Sequence, residues 1–258
     1  MSTDGETRAI DLNADIGEGF GEWSMGDDDA LLDIVTSANI ACGFHAGDAR
    51  IMARTCHAAA VRGVVIGAHV SYHDLEGFGR RDLDVPPEQL ADEILYQIGA
   101  LDAISRSAGA PLRYVKAHGA LYNRCAHDEQ HAGALVRAVQ AHGGGLALLV
   151  APRSTLFALA SAEGLRCITE GYVDRAYRSD GSLVSRRELH AVHTSSEACV
   201  GQALSIAVDQ RVATNDGVPI ALSAGSLCVH GDAPHAAATA WLVRESLLAA
   251  GIALRPFA

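Results

Sequence analysis

The chain has 258 residues, 49% of them hydrophobic and 20% charged, which is the composition of a folded globular protein and excludes a disordered chain. The formal net charge of −11 argues against nucleic acids and anionic membranes as partners, because both favour basic surfaces. No stretch approaches the roughly 20 apolar residues of a membrane span, and the first residues lack the apolar core of a signal peptide. The six cysteines form no CxxC pair, as expected of reduced thiols, so we expect a cytoplasmic protein with one domain over 1–258.

Short apolar segments that predict β-strands alternate with amphipathic segments that predict helices. The predicted strands are residues 8–15, 37–42, 64–70, 112–118, 146–151, 165–171 and 226–231. The predicted helices are residues 48–63, 86–107, 194–210 and 233–251. Strands followed by helices indicate a parallel sheet covered by helices, and either an open doubly wound sheet or a barrel satisfies right-handed connections.

Local signals mark where several of these helices begin. Asp48 is a suitable N-cap for the predicted helix 48–63, and Pro86 with Pro87 suits the first turn of the predicted helix 86–107. Thr194 and Glu197 have the spacing of a capping box. The stretch DIGEGFGEW at 15–23 is glycine-rich but lacks the spacing of a dinucleotide fingerprint, so it is a weak signal.

Ionisable residues end six of the seven predicted strands. The carboxyl ends of parallel strands share one face, and α/β folds place their sites there. We therefore expect these side chains to converge, although Asp48 and Asp232 taken singly are read as helix caps. The residues that follow or end these strands include Asp11, Asn13, Asp15, His45, His69, Lys116, His118, Tyr122, Asn123, Glu170, Asp174, Arg175 and His230.

One carboxylate and two imidazoles in this set form a candidate site for a divalent metal. Asp15, His69 and His118 end the first, third and fourth predicted strands. Three such ligands leave open positions for water, as a hydrolytic metal site requires. The residues come from separate strands, so local spacing does not test the interpretation, and the identity of the metal stays open.

Lys116 is the only lysine, against nineteen arginines. A lysine amine can have its pKa lowered by its surroundings and can then exchange a proton, whereas arginine stays charged. Lys116 can alternatively act as a compact cation beside a developing oxyanion. Strand alternation predicts that Lys116 and His118 point to the same side and that Ala117 faces the helices.

Several longer stretches together resemble the LamB/YcsF family. They are DLNADIGEGFGEW, SANIACGFHAGD, IGAHVSYHDLEGFGRRD, VKAHGALYN, EGYVDRAYRSDGSLVSR and CVHGDAPHA, and they run from residue 11 to about residue 236. The resemblance implies a distorted seven-stranded, TIM-like β/α barrel related to polysaccharide deacetylase barrels. Val70, Ala117, Ala233 and His235 depart from the family pattern, which puts the shape of the substrate loops in doubt.

The resemblance also implies opening of 5-oxo-L-proline to L-glutamate, coupled to ATP hydrolysis, together with two partner subunits. The chain has no G-x-x-x-x-G-K-[ST] phosphate loop, so we expect ATP to be bound largely by a partner. The expected catalytic residues are Asp15, Lys116, His118 and Asp174. The expected substrate-binding residues are Asn13, His45, Tyr72, Arg80, Arg81, Asn123, Glu170, Arg175 and His230, with an arginine binding the substrate carboxylate.

Two other functions fit the same residues. The chain could be an ATP-independent metal hydrolase, similar to a deacetylase, that acts on a small amide or an N-acetylated sugar. It could also be a non-catalytic subunit that binds substrate and regulates its partners. The sequence leaves open whether the chain forms a homo-oligomer, and whether residues 173–194 are a lid over the site or a surface excursion.

Overall fold

Seven parallel strands close into a barrel in a computed structural model that describes residues 8–230 and 236–258. They are β1 (Ala9–Ile16), β2 (Ser37–Ala41), β3 (Val65–Val70), β4 (Leu112–Ala117), β5 (Ala147–Val150), β6 (Cys167–Tyr172) and β9 (Ser226–Val229). Neighbouring strands pair in this order, and β9 pairs with β1 to complete the ring. The seven predicted strands and the seven-stranded barrel are confirmed, and the open sheet is excluded.

Two further strands, β7 (Arg211–Ala213) and β8 (Pro219–Ala221), form a small antiparallel sheet in the connection between β6 and β9. A short strand, β10 (Ala253–Leu254), pairs with the start of β1 after the last helix. Both additions lie outside the ring of seven strands, so the barrel itself is parallel throughout.

The alternation of β1 explains how a buried barrel strand can carry charged residues. Its even positions, such as Leu12 and Ile16, belong to the hydrophobic core cluster. Its odd positions, Asp11, Asn13 and Asp15, form hydrogen bonds with residues of β2, β4 and β9. Since β1 and β4 lie apart on the ring, these polar side chains point into the barrel. The barrel interior therefore contains a hydrogen-bonded polar column beside a small apolar cluster of Tyr114, Ala147 and Leu149, and the main apolar core lies between strands and helices.

The helices cover the outside of the barrel. They are α1 (Asp28–Leu32), α2 (Ala49–Arg62), α3 (Pro87–Ser107), α4 (Gly119–Cys125), α5 (Glu129–His142), α6 (Thr155–Ala162), α7 (Ser196–Leu204) and α8 (Ala236–Ala249). The end of α7 continues as a π-helical turn over Ser205–Asp209. Among the described residues, no helix is both long and apolar enough to cross a membrane.

Helix starts follow the sequence signals with one exception. The Asp48 carboxylate accepts from the backbone N–H groups of Arg50 and Ile51 and caps α2, as predicted. The capping box at Thr194 is wrong, because α7 starts one residue later and the Ser195 hydroxyl accepts from the Ala198 N–H. The predicted cap at Asp232 lies outside the described residues.

Residues 173–194 form a folded excursion at the carboxyl end of β6. The buried Arg175 guanidinium donates to the carbonyl oxygens of Val184 and Ala191, at 2.6 and 3.4 Å. Ala176, Val184 and Ala191 pack as a small apolar cluster of their own. The Gln202 side chain of α7 donates to the carbonyls of Tyr172, Val173 and Arg175, which fixes the base of the excursion. The segment is thus held by buried polar bonds at several points.

Candidate active site

Three histidines and a glutamate meet at the carboxyl end of the barrel. His45 Nε2, His118 Nδ1 and His69 Nδ1 lie 3.3, 3.6 and 3.9 Å from the Oε1 oxygen of Glu18. All four side chains are buried, and one ligand atom from each lies within 4.8 Å of the others. We refer to this group as the Glu-His cluster; its members are Glu18, His45, His69 and His118.

The cluster histidines are neutral. Burial lowers the pKa of His69 to about 4. Burial, together with the neighbouring imidazoles, lowers the pKa values of His45 and His118 well below their ordinary value. The rings of His45 and His118 stack in parallel, with centroids 3.8 Å apart. Neutral imidazoles with a carboxylate are the ligand types of a transition-metal site, so this cluster is the part of the described chain that could hold a metal.

An ion-pair trio lies beside the cluster inside the barrel. The Lys116 ammonium lies 2.8 Å from Glu170 Oε1 and 3.3 Å from Asp15 Oδ1. Asp15 also accepts from the Asn39 amide and lies 3.6 Å from His69 Nε2, so it links the trio to the cluster. Lys116 and Glu170 are each 1% exposed, which makes their charges nearly fully desolvated.

Lys116 is a permanent cation in this environment. Burial alone would lower the pKa of Lys116, but Asp15 and Glu170 outweigh that effect and raise the pKa well above its ordinary value. The raised pKa of Lys116 argues against a lysine that loses its proton readily, one of the two roles suggested by the sequence. The other role, a fixed cation for a developing negative charge, agrees with the geometry.

Asp15 is a permanent anion for the complementary reason. Burial alone would raise the pKa of Asp15, but His69 and Lys116 hold the pKa well below the ordinary value. At Asp11, deeper in the barrel, burial outweighs the stabilising neighbours instead. It raises the pKa of Asp11 to about 6 despite hydrogen bonds from Ser226, Ser37 and Thr36. The charged part of the column is thus concentrated toward the carboxyl end.

Asn13, predicted to bind substrate, is part of the hydrogen-bonded column. Its amide nitrogen donates to the Ser226 hydroxyl at 2.7 Å and to the Leu227 carbonyl at 3.2 Å. Its amide oxygen accepts from Asn39 at 2.7 Å and lies 3.5 Å from Lys116 Nζ. These bonds orient the residues around Lys116, so the described contacts make Asn13 a support for the ion-pair trio.

His230 and Asp174 form a second polar pair at the same end of the barrel. His230 Nδ1 lies 2.7 and 2.8 Å from the two carboxylate oxygens of Asp174, and its ring stacks on Tyr172. Burial alone would raise the pKa of Asp174, but His230 holds the pKa below its usual range. His230 is also close enough to Asp15 and His69 to affect their pKa values. A carboxylate that holds Nδ1–H leaves Nε2 as the proton acceptor.

The remaining predicted substrate residues lie farther from this group or are engaged elsewhere. The Tyr72 hydroxyl bonds to His131 Nδ1 on α5 at 2.7 Å, and Asn123 is exposed on α4. Arg81 forms an ion pair with Asp74. Arg175 holds the 173–194 excursion, as described above. Substrate binding by these four residues stays a prediction that none of these contacts supports.

Arg80 is placed more favourably. Its guanidinium carbon lies 4.9 Å from the centre of the Phe78 ring. The same ring makes edge contacts with His45 and His118, with centroids 5.5 and 5.3 Å apart. Arg80 is exposed, so it lies at the surface, with the Phe78 ring between it and the Glu-His cluster.

The structure adds residues that the sequence did not single out. Glu18 supplies the carboxylate of the Glu-His cluster, where the predicted metal set had Asp15. The Tyr172 ring lies 5.2 Å from Lys116 Nζ, and it meets the ring of Tyr122, a residue already in the predicted set, edge to face with centroids 5.6 Å apart. The Cys228 thiol lies 3.3 Å from the same ammonium. Only Glu18 had a sequence signal, because it follows the first strand within the glycine-rich stretch.

Known proteins resemble the chain over almost its full length. The LamB/YcsF family profile matches residues 10–258. The chain belongs to the LamB/YcsF family. A protein of Streptomyces coelicolor that is named as a 5-oxoprolinase subunit is 55% identical over 249 residues, covering 96% of this chain and 100% of that protein. One of the same name from Kocuria rhizophila is 51% identical, covering 96% and 99%.

A solved LamB/YcsF-like structure supports the fold described above. The crystal structure of a lactam utilization protein from Thermus thermophilus has a TM-score of 0.91 and 39% sequence identity. The match covers 96% of this chain and 100% of that one. The barrel and its helices are therefore shared with an experimentally determined protein.

Proposed function

We propose that this chain is one subunit of an ATP-dependent 5-oxoprolinase, which opens the lactam ring of 5-oxo-L-proline to give L-glutamate. The observation that carries the proposal is the convergence of buried charged and imidazole groups at the carboxyl end of the barrel. This convergence occurs in a chain that matches proteins named as 5-oxoprolinase subunits over 96% of its length. Burying so many ionisable groups together is costly and is typical of a functional site.

Coupling to ATP follows from the chemistry of the substrate. A five-membered lactam is a resonance-stabilised amide whose nitrogen is a poor leaving group. Transfer of a phosphoryl group to the lactam oxygen makes the ring carbon electrophilic. Water then adds to this carbon, the carbon–nitrogen bond breaks with a proton delivered to nitrogen, and a second water hydrolyses the remaining acyl phosphate to glutamate and phosphate.

Lys116 is suited to stabilise the negative charge on the oxygen atoms of the adduct, which are those of the phosphoryl group and that of the added water as it loses its protons. It is held between Asp15 and Glu170 by contacts of 3.3 and 2.8 Å, so its position is fixed before the reaction starts. A preorganised cation in a desolvated site stabilises an oxyanion more than a mobile cation in water does. Since Lys116 stays protonated, it does not exchange the proton in this scheme.

His230 is suited to move the proton. Asp174 holds its Nδ1 at 2.7 Å, and the other ring nitrogen can accept a proton from the attacking water. The same nitrogen then returns that proton to the leaving ring nitrogen. The second proton of the water is released when the hydroxyl group of the adduct becomes a carbonyl, and it also ends on the amine, so the protons balance. The predicted catalytic role of Asp174 becomes that of a positioning residue for His230.

Arg80 is the arginine best placed for the substrate carboxylate. The Arg80 guanidinium lies over the Phe78 ring beside the Glu-His cluster, 4.9 Å from the ring centre. A guanidinium binds a carboxylate through two parallel hydrogen bonds, and this fixes the ring relative to Lys116.

Reconstitution tests the proposal. The chain is mixed with the two partner subunits of the same bacterium, and glutamate is measured after adding 5-oxoproline, with and without ATP. We expect glutamate only when all three chains and ATP are present, because the chain lacks a phosphate loop of its own. Release of glutamate by this chain alone without ATP would contradict the proposal. Acetate release from an N-acetylated sugar without 5-oxoproline turnover would favour the deacetylase-like alternative.

A further inference from the structure

The tautomers of the cluster histidines can be read from what their outer nitrogens contact. His118 Nε2 lies 2.9 Å from the Phe78 carbonyl oxygen, which can only accept a hydrogen bond. His69 Nε2 lies 3.6 Å from the Asp15 carboxylate, an acceptor that is nearer than Glu18 is to Nδ1 of the same ring. In His118 the proton therefore resides on the outer nitrogen, and in His69 the nearer acceptor favours the same tautomer, with the lone pair on the inner nitrogen.

His45 has the same arrangement through a hydroxyl group. The Ser71 hydroxyl donates its hydrogen to the Tyr72 carbonyl at 2.9 Å. In that orientation it accepts from His45 Nδ1, which lies 3.0 Å away, and Nε2 carries a lone pair. In the other tautomer His45 Nε2 donates to Glu18 Oε1 at 3.3 Å, and a metal ion would take the place of that proton.

Three imidazole nitrogens thus converge on the Glu18 carboxylate, at 3.3 to 3.9 Å from its Oε1 oxygen. His69 Nδ1 is buried and has no hydrogen-bond partner among the described residues. Acceptor groups that converge in this way repel one another unless a cation lies between them. We propose that the Glu-His cluster binds one divalent transition-metal ion.

The charges around the cluster favour a cation. Asp15 and Glu170 share the single positive charge of Lys116, which leaves this trio with one net negative charge. Glu18 adds a second negative charge nearby, since the His69 ring lies between the two carboxylates, 3.9 Å from Glu18 and 3.6 Å from Asp15. These carboxylates favour a cation at the cluster, and the Arg80 guanidinium, which is close enough to lower the pKa of His45, contributes positive charge of its own.

The ligand atoms select the class of metal. Imidazole nitrogen suits zinc, iron, nickel and copper, whereas magnesium and calcium require mostly oxygen ligands. Three nitrogens and one carboxylate therefore favour zinc or a similar ion over magnesium. Asp15, a predicted ligand, acts in this site as the acceptor that orients His69, which is a common arrangement around metal-binding histidines.

Backbone packing fixes the two stacked histidines. Gly79 has a φ of +64°, and a Cβ atom placed on it would lie 2.8 Å from His118 Cδ2 and 2.9 Å from His45 Cβ. The glycine lets the chain pass against both rings, while the preceding residue supplies the carbonyl that orients His118. The ligands are thus held by their surroundings before the metal arrives, as expected of a built site.

Metal binding by the purified chain alone tests the inference. The protein is stripped with a chelator and titrated with zinc chloride in a calorimeter, with magnesium chloride as the comparison. We expect one zinc ion per chain with a dissociation constant of about 1 µM or lower, and at least tenfold weaker binding in Glu18→Gln. Glu22→Gln, the same change at an exposed position, should bind zinc as the unmodified chain does.

Circular dichroism and thermal unfolding in the presence of a chelator establish that each variant is folded. If Glu18→Gln does not fold, His45→Gln is tested in its place. Cobalt in place of zinc should give visible absorption bands of a nitrogen- and oxygen-ligated ion, and these bands should change in the variant. The inference is overturned if zinc does not bind stoichiometrically, if Glu18→Gln and His45→Gln bind zinc unchanged, or if magnesium binds equally tightly. None of these readouts depends on 5-oxoprolinase activity, so failure here leaves the proposed function standing.

Discussion

Replacing Lys116 by methionine removes the cation between Asp15 and Glu170 and retains a side chain of similar length. The variant leaves a buried carboxylate without its counter-ion, and breaking a buried ion pair in this way costs about 3–5 kcal/mol. The folded protein can limit the cost by protonating that carboxyl group. At pH 7, protonating a group with an ordinary pKa of about 4.3 costs about 3.7 kcal/mol, at about 1.36 kcal/mol for each pH unit.

The same arithmetic predicts a pH signature. In the folded variant the carboxyl group that has lost its counter-ion stays protonated, whereas in the unfolded chain it ionises above about pH 4.3. The free energy of unfolding therefore falls as the pH rises. We expect Lys116→Met to be destabilised by about 4 kcal/mol at pH 7 but by only about 1 kcal/mol at pH 5. Urea unfolding followed by circular dichroism at pH 5, 6 and 7 measures both values.

A double variant supplies the control for this experiment. Lys116→Met with Glu170→Gln removes the unpaired carboxylate, so most of the stability and the pH dependence of the unmodified chain should return, while catalytic activity should not. If Lys116→Met is as stable as the unmodified chain at pH 7, or equally destabilised at pH 5 and 7, Lys116 does not neutralise the buried carboxylates and the reasoning fails.

Two further predictions concern the column and the cluster. In the unmodified chain the raised pKa of Asp11, about 6 against 3.8, should lower the free energy of unfolding by up to about 3 kcal/mol as the pH rises from about 4 to 6, because folded Asp11 keeps a proton that the unfolded chain releases. Asp11→Asn should abolish this decrease. Urea titrations across this pH range measure it, and an unchanged pH profile in the variant would contradict the prediction. Gly79→Ala should lower both stability and reconstituted activity, because its Cβ would meet the cluster histidines. Gly63→Ala is the matched control, with a φ of +69° and no atom within 4 Å of the added Cβ, so equal losses in thermal unfolding would argue against the clash.

The strands and the location of the site were predictable because both rest on local pattern. Alternating residues in segments such as 8–15 and 112–118 predict buried strands, and parallel strands bring their carboxyl ends to one face. That rule is enough to bring His69, Lys116 and Glu170 together without any knowledge of the tertiary contacts.

Roles within the site were less predictable because they depend on partners far apart in the chain. The charge of Lys116 is fixed by Asp15, 101 residues away, so no local spacing reveals that its pKa is raised. Glu18 lies in a loop after the first strand, where a glycine-rich stretch gave only a weak signal. Arg175 was expected to bind substrate as a strand-end cation, and only the fold of the following segment shows that its guanidinium meets backbone carbonyls.

The rate of glutamate formation from 5-oxoproline and ATP tests the central claim most directly, in the proposed complex of this chain with two partner subunits. Asp174→Asn keeps the shape of the site but no longer holds His230 in the required tautomer. We predict a rate at least about 100-fold lower than that of the unmodified complex, with assembly intact. The exposed Asp209→Asn should retain full activity. Glutamate formation by the Asp174→Asn complex at the unmodified rate would contradict the assignment of ring opening to this face of the barrel.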